Sequence, residues 1–180
     1  MTATDPIHRA ADAVKDAAHQ EAEQYRHGEV RPLGGYVVLL SIYSTIFTTL
    51  SLVVRRRGGL PERIPVGDLA LLGVATHKLA RLITKDSVTA VVRAPFTTYA
   101  EPIGVGEVHE EVRGGSAFRH AAGELVTCPF CIGVWVATVM AFGLVLMPRP
   151  TRFVATILSA VTGSDFLQLA YAITHQAAEG

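Results

Sequence analysis

The sequence predicts an all-α integral membrane bundle, and three observations carry that expectation. Apolar residues fall in blocks of membrane-spanning length, the blocks end at arginine or proline, and charge is scarce between those ends. Of 180 residues, 49% are hydrophobic and 18% charged, and the mean hydropathy is +0.33. Soluble domains carry about 25% charge. The low charge excludes a disordered tail. Sixteen basic side chains balance sixteen acidic ones, so a generic nucleic-acid binder, which needs a basic surplus, is excluded too. The pattern divides the chain into a polar helical segment, 1–32, and a membrane domain, 33–180. Within the latter, spans are expected at about 33–54, 66–84, 130–147 and 153–174, with a long loop at 85–129.

Residues 33–54 hold no charge and stop at Arg55-Arg56-Arg57. A helix needs about 20 such residues to cross hydrocarbon. A soluble helix of that length shows a polar stripe. Here the polar residues are Ser41, Ser44, Thr45, Thr48, Thr49 and Ser51, whose hydroxyls can bond carbonyls one turn back. A second uncharged block, 131–147, ends at Pro148-Arg149-Pro150. A third, 153–174, holds one charge, Asp165. The short link 148–152 makes these two helices antiparallel neighbours. Gly133, Ala137 and Ala141, facing Ala155, Ser159 and Gly163, would let them pack closely.

The block 64–85 is mixed. Asp68, His77, Lys78 and Arg81 interrupt it, and His77, Arg81 and Lys85 share one helix face. It is either a fourth span with a polar face towards its neighbours or an amphipathic surface helix. Charge placement favours the span. With four spans, the loops 55–65 and 148–152 lie on one side, where six arginines face only Glu62. The segments 1–32 and 85–128 each hold four basic and six acidic residues. Short basic loops stay in the cytoplasm, so the Arg55–Arg57 loop is predicted cytoplasmic in a multi-pass bacterial cell-membrane protein. Three spans plus an amphipathic helix is the alternative, and it moves the long loop to the cytoplasmic side.

Ala10 to His27 reads as a helix beginning near Asp5-Pro6. No apolar run precedes Leu33, so the first span is expected to act as an uncleaved anchor. His8, His19 and His27 are too widely spaced for a helical metal pair. In the long loop, Val105, Val108 and Val112 predict a short strand or hairpin near Gly114-Gly115. A helix leads from Ala117 into Cys128.

The two cysteines form Cys128-Pro129-Phe130-Cys131. The spacing permits a redox disulfide with a lowered thiol pKa, two zinc ligands out of the four that a structural site needs, or two small buried hydrophobes at a helix start. His120 and Glu124 precede Cys128 at four-residue steps, so His120, Glu124, Cys128 and Cys131 are the redox or metal candidates. A straight helix spreads them over about 16 Å, so one ion would require a bend at Pro129. The tetrapeptide also looks like a glutaredoxin active site, but that fold needs strands and soluble helices where an uncharged block follows Cys131. No metal site is committed. Asp165 is the intramembrane charge, and an ionisable group there needs a partner. Lys78 or Arg81 is expected to supply it. Alternatively, Gly163-Ser164-Asp165 is a helix break capped by Asp165 and Gln168.

Taken together, Arg81-Leu82, Asp86, Val88-Thr89, Arg93, Pro95-Phe96, Glu124-Leu125, Thr127 to Cys131, Gly133 and Trp135 resemble the bacterial domain-of-unknown-function family thirteen-sixty. Its hallmark is Thr-Cys-Pro-aromatic-Cys-x-Gly-x-Trp at the head of a membrane helix. The resemblance covers about residues 68–147 and marks Asp86, Arg93, Pro95 and Trp135 as motif residues. It implies a small bacterial integral membrane protein, and some relatives are associated with sporulation. It carries no established activity.

No phosphate loop, Ser-His-Asp set or metalloprotease motif is present. The leading expectation is therefore a non-enzymatic scaffold or partner-docking protein. Its partners are the lipid bilayer and a protein partner or second copy, with no cofactor and no nucleic acid. The alternative is a membrane thiol–disulfide or metal-linked protein built on Cys128 and Cys131. A small transporter or channel subunit using Asp165, Lys78 and Arg81 ranks third.

Overall fold

A computed structural model describes residues 5–26 and 31–179. His27 lies outside the described residues. Seven helices and one β-hairpin follow in order: α1 (Asp5–Arg26), α2 (Leu33–Arg56), α3 (Val66–Thr84), α4 (Ala90–Arg93), β1 (Thr97–Gly104), β2 (Glu107–Val112), α5 (Ala117–Thr127), α6 (Pro129–Leu146) and α7 (Pro148–Glu179). The protein is an all-α membrane bundle carrying a small hairpin.

Among the described residues, three helices are long and apolar enough to cross a membrane: α2, α6 and α7. By length and composition alone, this fits the three-span expectation better than four. Helix α3 has the length, but Asp68, Lys78 and Arg81 give it too much charge to count as an apolar segment. Helix α2 hides its hydroxyls as the sequence requires. Ser41, Thr45 and Thr49 each donate to the carbonyl four residues back, at 2.7–2.8 Å. Its apolar side chains, including Val37, Leu40 and Leu52, stay exposed. Lipid is the solvent that suits such a surface.

The core places α3 between α6 and α7. Ala75 of α3 is fully buried among Val136 and Met140 of α6 and Ala155 and Leu158 of α7. The expected close packing of α6 directly on α7 is therefore corrected. A Cβ added at Gly133 or Gly163 would meet nothing within 4 Å. Of the small residues on α7, Ala155 joins the α3 core, and Ser159 donates to the Leu71 carbonyl of α3 at 3.3 Å. Helices α6 and α7 approach closely at their turn, where a Cβ on Gly143 would stand 2.9 Å from Thr151 Oγ1. Met147 alone separates these two helices, because Pro148 and Pro150 occupy the first turn of α7, where a missing N–H costs nothing. The alternative of a helix break at residues 163–165 is not what forms, and α7 runs through them.

Side-chain contacts fix the helix directions. Along α2, Tyr36 meets Glu124, Tyr43 meets Trp135 and Thr138, and Phe47 meets Phe142. Both series ascend, so α2 and α6 are parallel. Asp68 with Arg152, then Lys78 with Asp165, make α3 and α7 parallel in the same way. The bundle therefore runs down, up, down, up. One end collects Arg55–Arg57, the start of α3 and the α6–α7 turn. The other collects the hairpin, α4, α5 and the cysteines.

The hairpin turns at Val105-Gly106, where Gly106 has φ +76°, and not at Gly114-Gly115. It is fastened to the end of α3, with Val108 N–H donating to the Lys85 carbonyl at 2.9 Å. Close contact seals α5 over it, since a Cβ on Gly123 would lie 2.6 Å from Val112 Cγ1. Gly35 is equally constrained. A Cβ there would lie 2.1 Å from the Ala117 carbonyl oxygen, so α2 and α5 touch backbone to backbone.

Candidate functional site

The cysteines stand at the junction of α5 and α6. Cys128 is extended, with φ −105° and ψ 109°, and is the N-cap of α6. Pro129 follows at the first helical position, which its fixed φ suits. This local geometry turns Cys131 back over Cys128. The Cys131 N–H donates to Cys128 Sγ at 3.3 Å, and the Cys131 thiol lies 2.7 Å from the same sulfur. The two sulfurs are free thiols, about 0.7 Å beyond bonding distance. Cys128 is half-buried and Cys131 exposed. Phe130 projects beside them, 90% exposed.

A groove of about 540 Å3 opens beside the pair, bounded by Tyr36 and Leu39 of α2 and by Ala121, Glu124 and Leu125 of α5. Glu124 links its walls. One carboxylate oxygen accepts the Tyr36 hydroxyl at 2.5 Å, and the other lies 3.6 Å from His120 Nε2. The sequence placed His120 and Glu124 near the thiols. It gave no sign of Tyr36, whose partner is 88 residues away. Among the described residues, no three His, Cys, Asp or Glu side chains are placed to hold a metal ion. The four candidates therefore do not converge as zinc ligands, and Glu124 is instead occupied by Tyr36 and His120.

Charged pairs stitch the rest of the bundle. Lys78 Nζ lies 2.6 Å from Asp165 Oδ2. Arg81 does not reach Asp165. It holds both oxygens of Glu107 on β2, at 2.5–3.0 Å. Asp68 and Arg152 form a bidentate pair at 2.7–2.8 Å between the first turns of α3 and α7. Sequence reading left Asp68 and Arg152 unpaired with each other, since nothing in their spacing links positions 84 residues apart.

The residues on which the family resemblance rested sit around the hairpin and at the head of α6. Arg93 is fully buried. Its guanidinium donates to both Glu110 carboxylate oxygens, to the Thr89 hydroxyl and to the carbonyls of Ile83 and Asp86. Asp86 Oδ1 accepts the Val88 N–H at 2.8 Å. The Pro95 carbonyl accepts Arg119 Nε at 2.9 Å. Trp135 meets Tyr43 edge-on, 5.2 Å between centroids.

Comparison with known proteins places this chain in a family. The model for "Protein of unknown function (DUF1360)" matches residues 71–171. The match runs beyond the 68–147 resemblance and takes in much of α7. Among curated proteins, UPF0713 protein YngL of Bacillus subtilis (strain 168) is 29% identical over 55% of this chain and 76% of its own length. Sporulation protein YjcA of the same organism is 29% identical over 51% of this chain and 79% of its own. No solved structure matches. The chain is a small bacterial multi-pass membrane protein and belongs to the DUF1360 family of proteins of unknown function.

Proposed function

We propose that this is a membrane thiol–disulfide protein whose reactive pair, Cys128 and Cys131, stands at the bilayer face opposite the arginine loops. The approach of the two sulfurs to 2.7 Å carries the reading and favours it over a scaffold. Cys128 is the attacking thiol. It accepts both the N–H and the S–H of Cys131, and it stands at the N-terminus of an 18-residue helix. The reaction is an exchange. Cys128 thiolate attacks one sulfur of a partner disulfide and expels the other as thiolate. Cys131 thiolate then attacks Cys128 and releases the partner's second sulfur. The protein ends as disulfide and the partner as dithiol.

The same proposal includes four crossings. Its support is the shared direction of α2 and α6. Two apolar spans running the same way require the intervening chain to cross back, and α3 is the helix between them. At about 1.5 Å per residue its 19 residues extend roughly 28 Å, against a hydrocarbon core of about 30 Å. Its charges are tolerable there because Asp68 and Lys78 pair with α7 and Arg81 pairs with the hairpin. Arg93, Asp86 and Pro95 hold the cap over the α3 end. Trp135 fixes the head of α6 on α2.

The test is equilibration of the purified full chain with oxidised and reduced glutathione, followed by quenching and a mass-tagged maleimide. Wild type should lose both thiols together. Cys131→Ser should accumulate a mixed disulfide at Cys128, about tenfold faster than Cys128→Ser does at Cys131. Two thiols that stay free in oxidised glutathione, or single variants that react alike, would contradict the proposal.

A further inference from the structure

At the end of the bundle opposite the thiols, the link between α2 and α3 folds over the α6–α7 turn. It encloses a cleft of about 390 Å3. Arg57, Arg63, Arg152 and the carboxylate of Asp68 line it, together with apolar Leu60, Leu144 and Val145. The chain reverses into the cleft at Gly58 and Gly59, whose φ values of +111° and +87° suit glycine alone. Arg152 is held in place by Asp68 through bonds of 2.8 and 2.7 Å. Among the described residues, no carboxylate forms an ion pair with Arg57 or Arg63. The cleft therefore presents two uncommitted guanidinium groups beside an apolar wall, at the level where three apolar helices end.

We propose that this cleft binds the phosphate of a phospholipid, with Arg57 and Arg63 on the oxyanion and Leu144 and Val145 against the glycerol and adjoining methylenes. Guanidinium donors match phosphate oxygens in pairs, and each bond is strengthened by charge. Inorganic phosphate offers the same oxyanion, but it leaves the apolar side of the cleft unfilled. A diffuse attraction of basic loops to an anionic surface would involve all the arginines at this end alike. The cleft instead distinguishes Arg57 and Arg63 from Arg55 and Arg56, which do not line it.

The test is native mass spectrometry of the full chain in nonionic detergent, titrated with phosphatidylglycerol. Wild type and the double variant Arg55→Gln/Arg56→Gln should retain one lipid per chain. Arg57→Gln/Arg63→Gln should bind it about tenfold more weakly. A large excess of inorganic phosphate should leave the bound lipid in place. The near-ultraviolet signal of Trp135, the one tryptophan of the chain, reports whether α2 and α6 remain packed in each variant. Should the double variant lose that signal, Arg63→Gln alone is measured, with weaker lipid retention still expected. Equal losses in both double variants would overturn the proposal, as would no loss at Arg57 and Arg63. Displacement of the lipid by inorganic phosphate would overturn the lipid as occupant.

Discussion

Arg93 shows how one residue can organise an element boundary. All five guanidinium N–H groups have acceptors within 3.1 Å, and two of those acceptors are carbonyls at the end of α3 and in the turn after it. Helix C-termini leave such carbonyls unbonded. The same fork neutralises Glu110, which is only 8% exposed. Removing the arginine strands that carboxylate in a buried site. Arg93→Ala should cost about 3–5 kcal/mol. Arg93→Lys should recover less than half, because an ammonium has three donors and no fork. Denaturant unfolding of the detergent-solubilised protein measures both. Sequence alone marked Arg93 only through a family resemblance. Its partner Glu110 had no signal, because the pairing depends on hairpin register.

At the scale of elements, α3 decides the fold. Its apolar stretch was legible as a helix, but its charges left open whether it crosses or lies flat. The structure gives each of these charges a partner: Asp165 for Lys78, Glu107 for Arg81 and Arg152 for Asp68. A helix whose charges pair with α7 and the hairpin, and whose Ala75 is buried against α6 and α7, packs inside the bundle. Of the small residues at four-residue spacing, only Ala155 and Ser159 of α7 lie at a close approach, and their partner is α3 and not α6, while Gly133 and Gly163 face open space. Spacing within one helix identifies a face and says nothing of what covers it. The Lys78–Asp165 pair is testable by exchange. Lys78→Asp and Asp165→Lys should each destabilise the bundle, and the double exchange should regain about 1 kcal/mol of coupling. The figure is modest because the Asp165 side chain is 46% exposed within the protein. A double exchange that is additive would remove the pair as a link between α3 and α7.

For the whole molecule, the direction of the helices matters more than their number. Apolar blocks and arginine-rich ends were readable in the sequence because lipid and the cytoplasmic bias of basic loops act on local composition. The parallel course of α2 and α6 was not, since it rests on contacts such as Tyr43 with Trp135, 92 residues apart in the chain. The hairpin turn was misplaced for a related reason. Gly106 makes the turn by a single positive φ, whereas the Gly114-Gly115 pair only leads into α5. The resulting bundle puts the thiol pair at one end and six arginines near the other.

Labelling in intact cells with a membrane-impermeant maleimide tests that arrangement and its thiol chemistry together. Cys128 and Cys131 should label only after treatment with reductant. A reporter cysteine on the same loop, Glu62→Cys in a Cys128→Ser/Cys131→Ser background, should label only once the cells are opened. Thiols that label without reductant would contradict a disulfide-forming pair. Thiols that label only in opened cells would contradict the four-crossing bundle.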